Sequence, residues 1–273
     1  MGVLEGKIDL HVHAGPDVRD RKLTAVQLVR KAAQAGMRAL LLKNHHTSTV
    51  LAAAAIQEQL QDINVFGGLA LNESVGGLNP AAVEAALRMG AAEIWFPTLS
   101  AENQRRAHGH PGSGIRVSED DGRLKPEVHE IIRLVAEADA ILGTGHLSPQ
   151  EILKVVAEAH RAGVRRILVT HPEITFIRLP VEVQQELAQL GVLFERCYVR
   201  PPLFSADWDE LARIIRQVGV KSTVLATDLG QPENPDPITG YKEMLEQLHR
   251  RGFNWEELEI MTRLNPAQLL GLD

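Results

Sequence analysis

Leu28-Val29-Arg30-Lys31-Ala32-Ala33-Gln34-Ala35-Gly36-Met37-Arg38-Ala39-Leu40-Leu41-Leu42-Lys43 is a helical pattern, one glycine and a short apolar run in direct succession. A helix ends most easily on a residue in the left-handed conformation, which glycine adopts without Cβ strain, and a loop of two or three residues then turns into a strand. The phrase recurs along the chain. Gly90 leads into Glu93-Ile94-Trp95-Phe96, Gly163 into Arg166-Ile167-Leu168-Val169, Gly191 into Val192-Leu193-Phe194, and Gly219 into Thr223-Val224-Leu225-Ala226.

The apolar runs 7–13, 38–43, 64–71, 92–97, 140–145, 166–170, 191–196 and 222–227 predict eight strands. Helical patterns cover 24–35, 49–61, 80–89, 126–138, 149–162, 180–190, 206–218 and 237–251, several with proline near the first turn, where its missing N–H costs nothing. The strands are continuously apolar, as in a parallel sheet covered on both faces. Eight such units predict an α/β protein, a (β/α)8 TIM barrel forming one domain over residues 1–273, with a doubly wound open sheet as the competing arrangement. The long stretch 100–125 follows the fourth strand and is expected to be an irregular active-site lid.

Composition narrows the partners. The 273 residues are 44% apolar and 23% charged, with 29 Lys plus Arg against 35 Asp plus Glu, a net charge of −6. No basic excess is present to hold nucleic acid or an anionic membrane, which leaves a small-molecule substrate as the expected partner. The single cysteine, Cys197, excludes an internal disulfide and a cysteine-rich zinc site, and is read as packing. With no signal-like or membrane-spanning run, a cytoplasmic location is expected. Oligomeric state is left open, a homo-oligomer being compatible with the sequence.

In a barrel of this kind chemistry sits at the C-terminal ends of the strands. Polar residues gather there: Asp9-Leu10-His11-Val12-His13 on strand one, Lys43-Asn44-His45-His46 on strand two, Gly145-His146, Thr170-His171, Glu195-Arg196 and Thr227-Asp228 on strands five to eight. The period-two rule puts His11 and His13 on one face, within reach of one cation. A lone strand histidine is commonly a hydrogen-bonded rim residue. Five residues of ligand type at one end of several strands would be costly to crowd together without a cation.

The order His-x-His, histidine ending strands five and six, and aspartate ending strand eight resembles the amidohydrolase superfamily of metal-dependent hydrolases, over nearly the whole chain. The resemblance implies a divalent metal, zinc by ligand type, as one or two ions. His11 and His13 would hold the buried metal. His146 and His171 would hold a second, or act as a ligand and a carbonyl-polarising group in a one-metal form. Asp228 would be the remaining ligand and proton shuttle. The implied reaction is hydrolysis of an amide, cyclic amide or ester by a metal-activated water, with Asp228 and His171 as the catalytic residues.

The chain departs from the family at strand four, where Ile94-Trp95-Phe96-Pro97-Thr98 offers no lysine or glutamate to bridge two metals. Lys43 is the expected substitute, as a carboxylated lysine and metal ligand; its alternative is an ion pair with Glu195. His45, Trp95 and Arg178 are expected to bind substrate, and Arg200 is a further candidate for an anion-binding part of the pocket. Three rivals share the pattern: a one-metal decarboxylase, a phosphoesterase, and a catalytically silent metal-binding barrel. The phosphoesterase resemblance is weaker because its closing Asp-x-His is replaced by Asp228-Leu229-Gly230.

Overall fold

The computed structural model describes residues 2–200, 204 and 206–272. Eight parallel strands pair in chain order: β1 (Ile8–His13), β2 (Ala39–Lys43), β3 (Asn64–Ala70), β4 (Glu93–Trp95), β5 (Ile141–Gly143), β6 (Ile167–Val169), β7 (Leu193–Arg196) and β8 (Thr223–Leu225). The residues after β8 close the ring onto β1: the Asp228 amide donates to the His11 carbonyl at 2.7 Å and the His13 amide to the Leu229 carbonyl at 2.8 Å. This is the (β/α)8 barrel that the glycine-punctuated phrase predicts.

Helices fill the outer layer where their patterns place them, Pro126–Ala138 with the predicted bounds. Thr24 and Ser148 each close a capping box at a helix start, satisfying amides that have no partner within the helix. One apolar cluster lies inside the barrel around Ile8, Leu10, Leu41, Trp95 and Leu168. Two larger ones lie between strands and helices. Further short helices at Trp255–Glu259 and Asn265–Leu270, joined by a π-type turn, bring Leu269 and Leu270 onto the inner cluster. No helix among the described residues is long and apolar enough to cross a membrane.

The fold differs from expectation in two places that matter for the site. The first is β1, whose pairing with β2 shifts by one residue between Asp9 and Val12. Ile8 and Leu10 belong to the inner cluster and Val12 to an outer one, so strict alternation from Ile8 would point His11 and His13 outward. The bulge reverses that parity and turns both imidazoles into the barrel. Asp9 stabilises the irregularity. Its carboxylate accepts from the His11 amide at 3.1 Å and from the amide and hydroxyl of Thr227 at 3.0 and 2.7 Å.

The second is the stretch 100–125, which is not simply irregular: Glu102–Ala107 forms a helix. Glu102 accepts from the amides of Gly112 and Gly114 at 2.7 and 2.9 Å. Arg105 grips Glu73 with two hydrogen bonds of 2.7 and 2.6 Å. The segment is thereby fastened to the barrel rim as a wall.

Candidate metal centre

The seam where β1 meets the end of β8 brings three buried ligand groups together. Nitrogen atoms of His11 and His13 and a carboxylate oxygen of Asp228 all lie within 4.8 Å of one another. Asp228 Oδ1 is 3.1 Å from Nε2 of both histidines. Beside this trio, His146 Nε2 stands 3.1 Å from His171 Nε2. The His11 and His171 rings stack at 5.9 Å, so the strand-five and strand-six histidines share the cavity with the trio.

Other side chains and backbone groups aim these rings. His11 Nδ1–H donates to Glu195 Oε1 at 2.7 Å, His13 Nδ1–H to the Lys43 carbonyl at 3.1 Å, and His146 Nδ1–H to Gln104 Oε1. In each case the outer nitrogen is engaged and Nε2 is turned to the cavity, the arrangement that orients histidines on metals. His171 and Asp228 hold left-handed backbone conformations, φ +25° and +50°, without being glycine. Such positions cost on the order of 1–2 kcal/mol and persist where surroundings fix a side-chain direction.

Electrostatics make most of the imidazoles available as ligands. Burial pushes His13 down to about 3 and His171 down to about 4, and holds His45 and His146 well below the usual histidine range. They are neutral at pH 7, as ligation requires. Burial also opposes a charge on His11, but Glu195 and Asp228 outweigh it and raise its pKa. Burial opposes the charge on Asp228 too, yet Arg200 and His11 keep its carboxyl ionised well below the ordinary range.

The donor set fits a divalent cation. His11 Nε2 faces Asp228 Oδ1 at 3.1 Å without hydrogen-bond alignment and has no hydrogen-bond partner among the described residues. Two ligand atoms bound to one tetrahedral zinc at 2.0–2.1 Å stand roughly 3.3 Å apart, close to the 3.1 Å that separates Asp228 Oδ1 from each of the two imidazole nitrogens.

A pH dependence follows. Without a cation, Glu195 and Asp228 let His11 hold its proton to higher pH than a free imidazole, whereas His13 and His171 stay neutral until about pH 3–4. Binding should therefore displace about one proton per cation, and affinity should fall about tenfold per pH unit below the raised pKa of His11. Calorimetry of zinc addition at pH 6 in buffers of different ionisation enthalpy measures this. Release of two or three protons would contradict these assignments.

Lys43 is 1% exposed, and its Nζ has no hydrogen-bond partner among the described residues. It does not pair with Glu195, which is taken by His11; it lies 4.8 Å from the centre of the Trp95 ring. Burial lowers its pKa. At the end of β4, Thr98 bonds His45 at 2.8 Å and Asn72 at 2.6 Å, so no bridging group stands there.

Two of the residues expected to bind substrate, Trp95 and Arg178, do not line the cavity. Trp95 is fully buried under Lys43 and is no part of the open pocket wall. Arg178 is exposed, because the turn after Ile174 brings Ile174 and Phe176 to the pocket and leaves Arg178 outside it. His45, His146, His171 and Asp228 do line the cavity, which measures about 480 Å³. Cys197 is buried, its thiol 3.4 Å from Glu195 Oε1. Glu195, expected only as an alternative partner of Lys43, instead orients His11, and Gln104, which orients His146, was not anticipated. Glu195 ends β7 in the same polar pattern as the ligands; Gln104 carries no signal.

The same barrel occurs in solved structures. An amidohydrolase from Pseudomonas aeruginosa is 12% identical with a TM-score of 0.66, the match covering 98% of this chain and 97% of that one. A phosphotriesterase homology protein from Escherichia coli, in complex with phosphate in its active site, is 12% identical with a TM-score of 0.62, covering 97% and 99%. A 2,6-dihydroxybenzoate decarboxylase gives 12% and 0.62, covering 98% and 100%. At these identities the likeness establishes the fold alone, the (β/α)8 barrel. No curated protein matches the sequence. Residues 6–195, well over half of the chain, match a family of unknown function (DUF6282), and the protein belongs to that family.

Proposed function

We propose that the protein is a metal-dependent hydrolase cleaving an amide, cyclic amide or ester of a small molecule. The observation that carries this reading is the buried His11–His13–Asp228 trio, with the Nε2 atoms turned inward by Glu195 and the Lys43 carbonyl. A divalent cation bound there, zinc by the nitrogen-rich donor set, would lower the pKa of water to about 7 and polarise a carbonyl. Asp228, ionised and at the cavity floor, takes a proton from the attacking water and returns it to the leaving atom. His171 stands where it can stabilise negative charge on the former carbonyl oxygen. His45, stacked on His13 at 4.8 Å, forms the adjoining wall against which substrate rests. The cavity is of a size that suits a small molecule.

Lys43 supplies the finer reading. A buried amine with no hydrogen-bond partner among the described residues is suited to react with CO2, and the carbamate so formed would offer two oxygens to the cluster. The absence of a bridging group at the end of β4 favours the one-metal decarboxylase as the second reading, should Lys43 remain unmodified.

Purification with metal analysis should give one to two divalent ions per chain. Saturation at about 100 times Kd should add about 2.7 kcal/mol and raise Tm by roughly 5–10 °C. Intact mass under native conditions should show one added CO2, lost in Lys43→Ala. A panel of lactones, cyclic amides and aryl esters, run beside CO2 detection on aromatic acids, separates hydrolysis from decarboxylation. A chain that retains no metal and is indifferent to chelation would end the proposal.

A further inference from the structure

The cavity above the metal centre has an uneven charge distribution for a chain with a net charge of −6. Arg19, Arg105 and Arg200 line it, against Glu233 and Asp228. Arg105 is committed to Glu73 by its two hydrogen bonds. Arg19 is exposed on the loop after β1 and has no ion-pair partner among the described residues. Arg200 differs from both. Its side chain is only 9% exposed, one guanidinium nitrogen pairs with Asp228 Oδ2, and Nε is buried without a hydrogen-bond partner among the described residues. The guanidinium carbon lies 5.9 Å from the Phe204 ring, which covers one side of it.

A buried guanidinium with an unused N–H is an expensive arrangement unless something polar arrives to use it. Asp228 is a poor candidate for that role, because its Oδ1 is already directed at His11 and His13. The fork of a guanidinium matches the two oxygens of a carboxylate or phosphate and does not match a neutral amide.

The geometry points to an anion-binding subsite in which Arg200, with Arg19 at the rim beyond it, receives an oxyanion group carried by the substrate. The substrate class narrows accordingly, to a small molecule whose scissile bond lies near a carboxylate or a phosphate. Arg200 then serves two partners, one face holding Asp228 ionised and the remaining donors fixing the distance between the anionic group and the reacting carbon. This inference rests on the metal-dependent reading for the fate of the substrate, but anion binding is measurable without turnover.

The test is calorimetric titration of the full chain, zinc-loaded and zinc-free, with benzoate and phthalate, with benzamide and phthalamide, and with inorganic phosphate. Metal content is determined on every sample. The zinc-loaded protein should bind a carboxylate or phosphate at least about tenfold more tightly than the matched amide, as expected for a charge-assisted pair. Arg200→Met should remove about tenfold or more of that preference with zinc still bound, and Arg19→Met a smaller part. Preference for carboxylates identifies the anion as carboxyl, and binding of phosphate alone as phosphoryl; either supports the subsite. Equal binding of acid and amide overturns it. So does a preference that survives Arg200→Met and vanishes on zinc removal, since the anion would then sit on the ion. Should Arg200→Met fail to fold, Arg19→Met and the acid–amide comparison on the unsubstituted chain still decide. A chain that holds no zinc but binds anions through Arg200 would sink the metal reading and leave the subsite standing.

Discussion

Asp228→Asn should reduce turnover by about 10³-fold or more while leaving the barrel folded. The two side chains have nearly the same shape, so the loss would come from charge and proton chemistry. Asp228 Oδ1 stands 3.1 Å from two imidazole nitrogens and Oδ2 pairs with Arg200. An asparagine can satisfy only one side. If its oxygen faces the guanidinium, its NH2 faces two nitrogens that should be offering lone pairs; reversed, the NH2 meets Arg200. Either way the cation loses an anionic ligand, and no carboxylate remains to carry a proton between water and leaving group. The measurement is kcat at saturating zinc, with bound metal counted in the same sample. Loss of turnover with metal retained assigns Asp228 to proton transfer; loss of both assigns it to holding the ion. Full turnover with metal bound would remove it from the mechanism. The left-handed backbone at Asp228, φ +50°, suits asparagine as well as aspartate, so the backbone should not respond.

The barrel was legible because its signals are local. A glycine that ends a helix and an apolar run that begins a strand lie within a few residues of each other, and Gly36, Gly163 and Gly191 all take positive φ, as that reading requires. The candidate ligands were legible because each stands at or beside the end of a strand. What stayed hidden depends on tertiary context. The bulge in β1 leaves no periodic trace, since one extra residue reverses parity without altering composition; only the partners of Asp9 reveal it. The helix Glu102–Ala107 reads Glu-Asn-Gln-Arg-Arg-Ala, with no apolar face to announce it. Arg178 and Arg200 look alike in sequence, and which one turns inward is decided by a turn at 174–178 and by the carboxylate of Asp228. Glu195 was read only as an alternative partner of Lys43, because spacing along a strand does not say which of two neighbouring bases a carboxylate will choose.

Asp9→Ala should dismantle the centre without touching a ligand. Asp9 is 1% exposed and far from the cavity opening, yet it accepts the three hydrogen bonds that hold the β1 bulge against the end of β8. Removing it leaves two buried amides and a hydroxyl without their acceptor, a loss of about 3–9 kcal/mol at roughly 1–3 kcal/mol per orphaned group. Part of that is offset, because burial raises Asp9 from 3.8 to about 6 and the ionised carboxylate is itself costly, by about 3 kcal/mol at neutral pH. The net expectation is a destabilisation of up to about 6 kcal/mol, with Tm lower by roughly 2–4 °C for each kcal/mol. The larger effect should be on metal, since His11 and His13 face inward only while the bulge persists, and zinc affinity should fall by two orders of magnitude or more. Asp9→Asn keeps an acceptor and should preserve most of both. Its pH dependence gives a separate check. A folded pKa above the unfolded one means that the native aspartate contributes most below 3.8 and loses that contribution as pH rises through about 6. The native chain should therefore gain on Asp9→Asn as pH falls from 6 towards 4. An Asp9→Ala chain with native Tm and native zinc affinity would mean that the bulge is held by something other than this carboxylate, and the link between β1 parity and the metal centre would have to be given up.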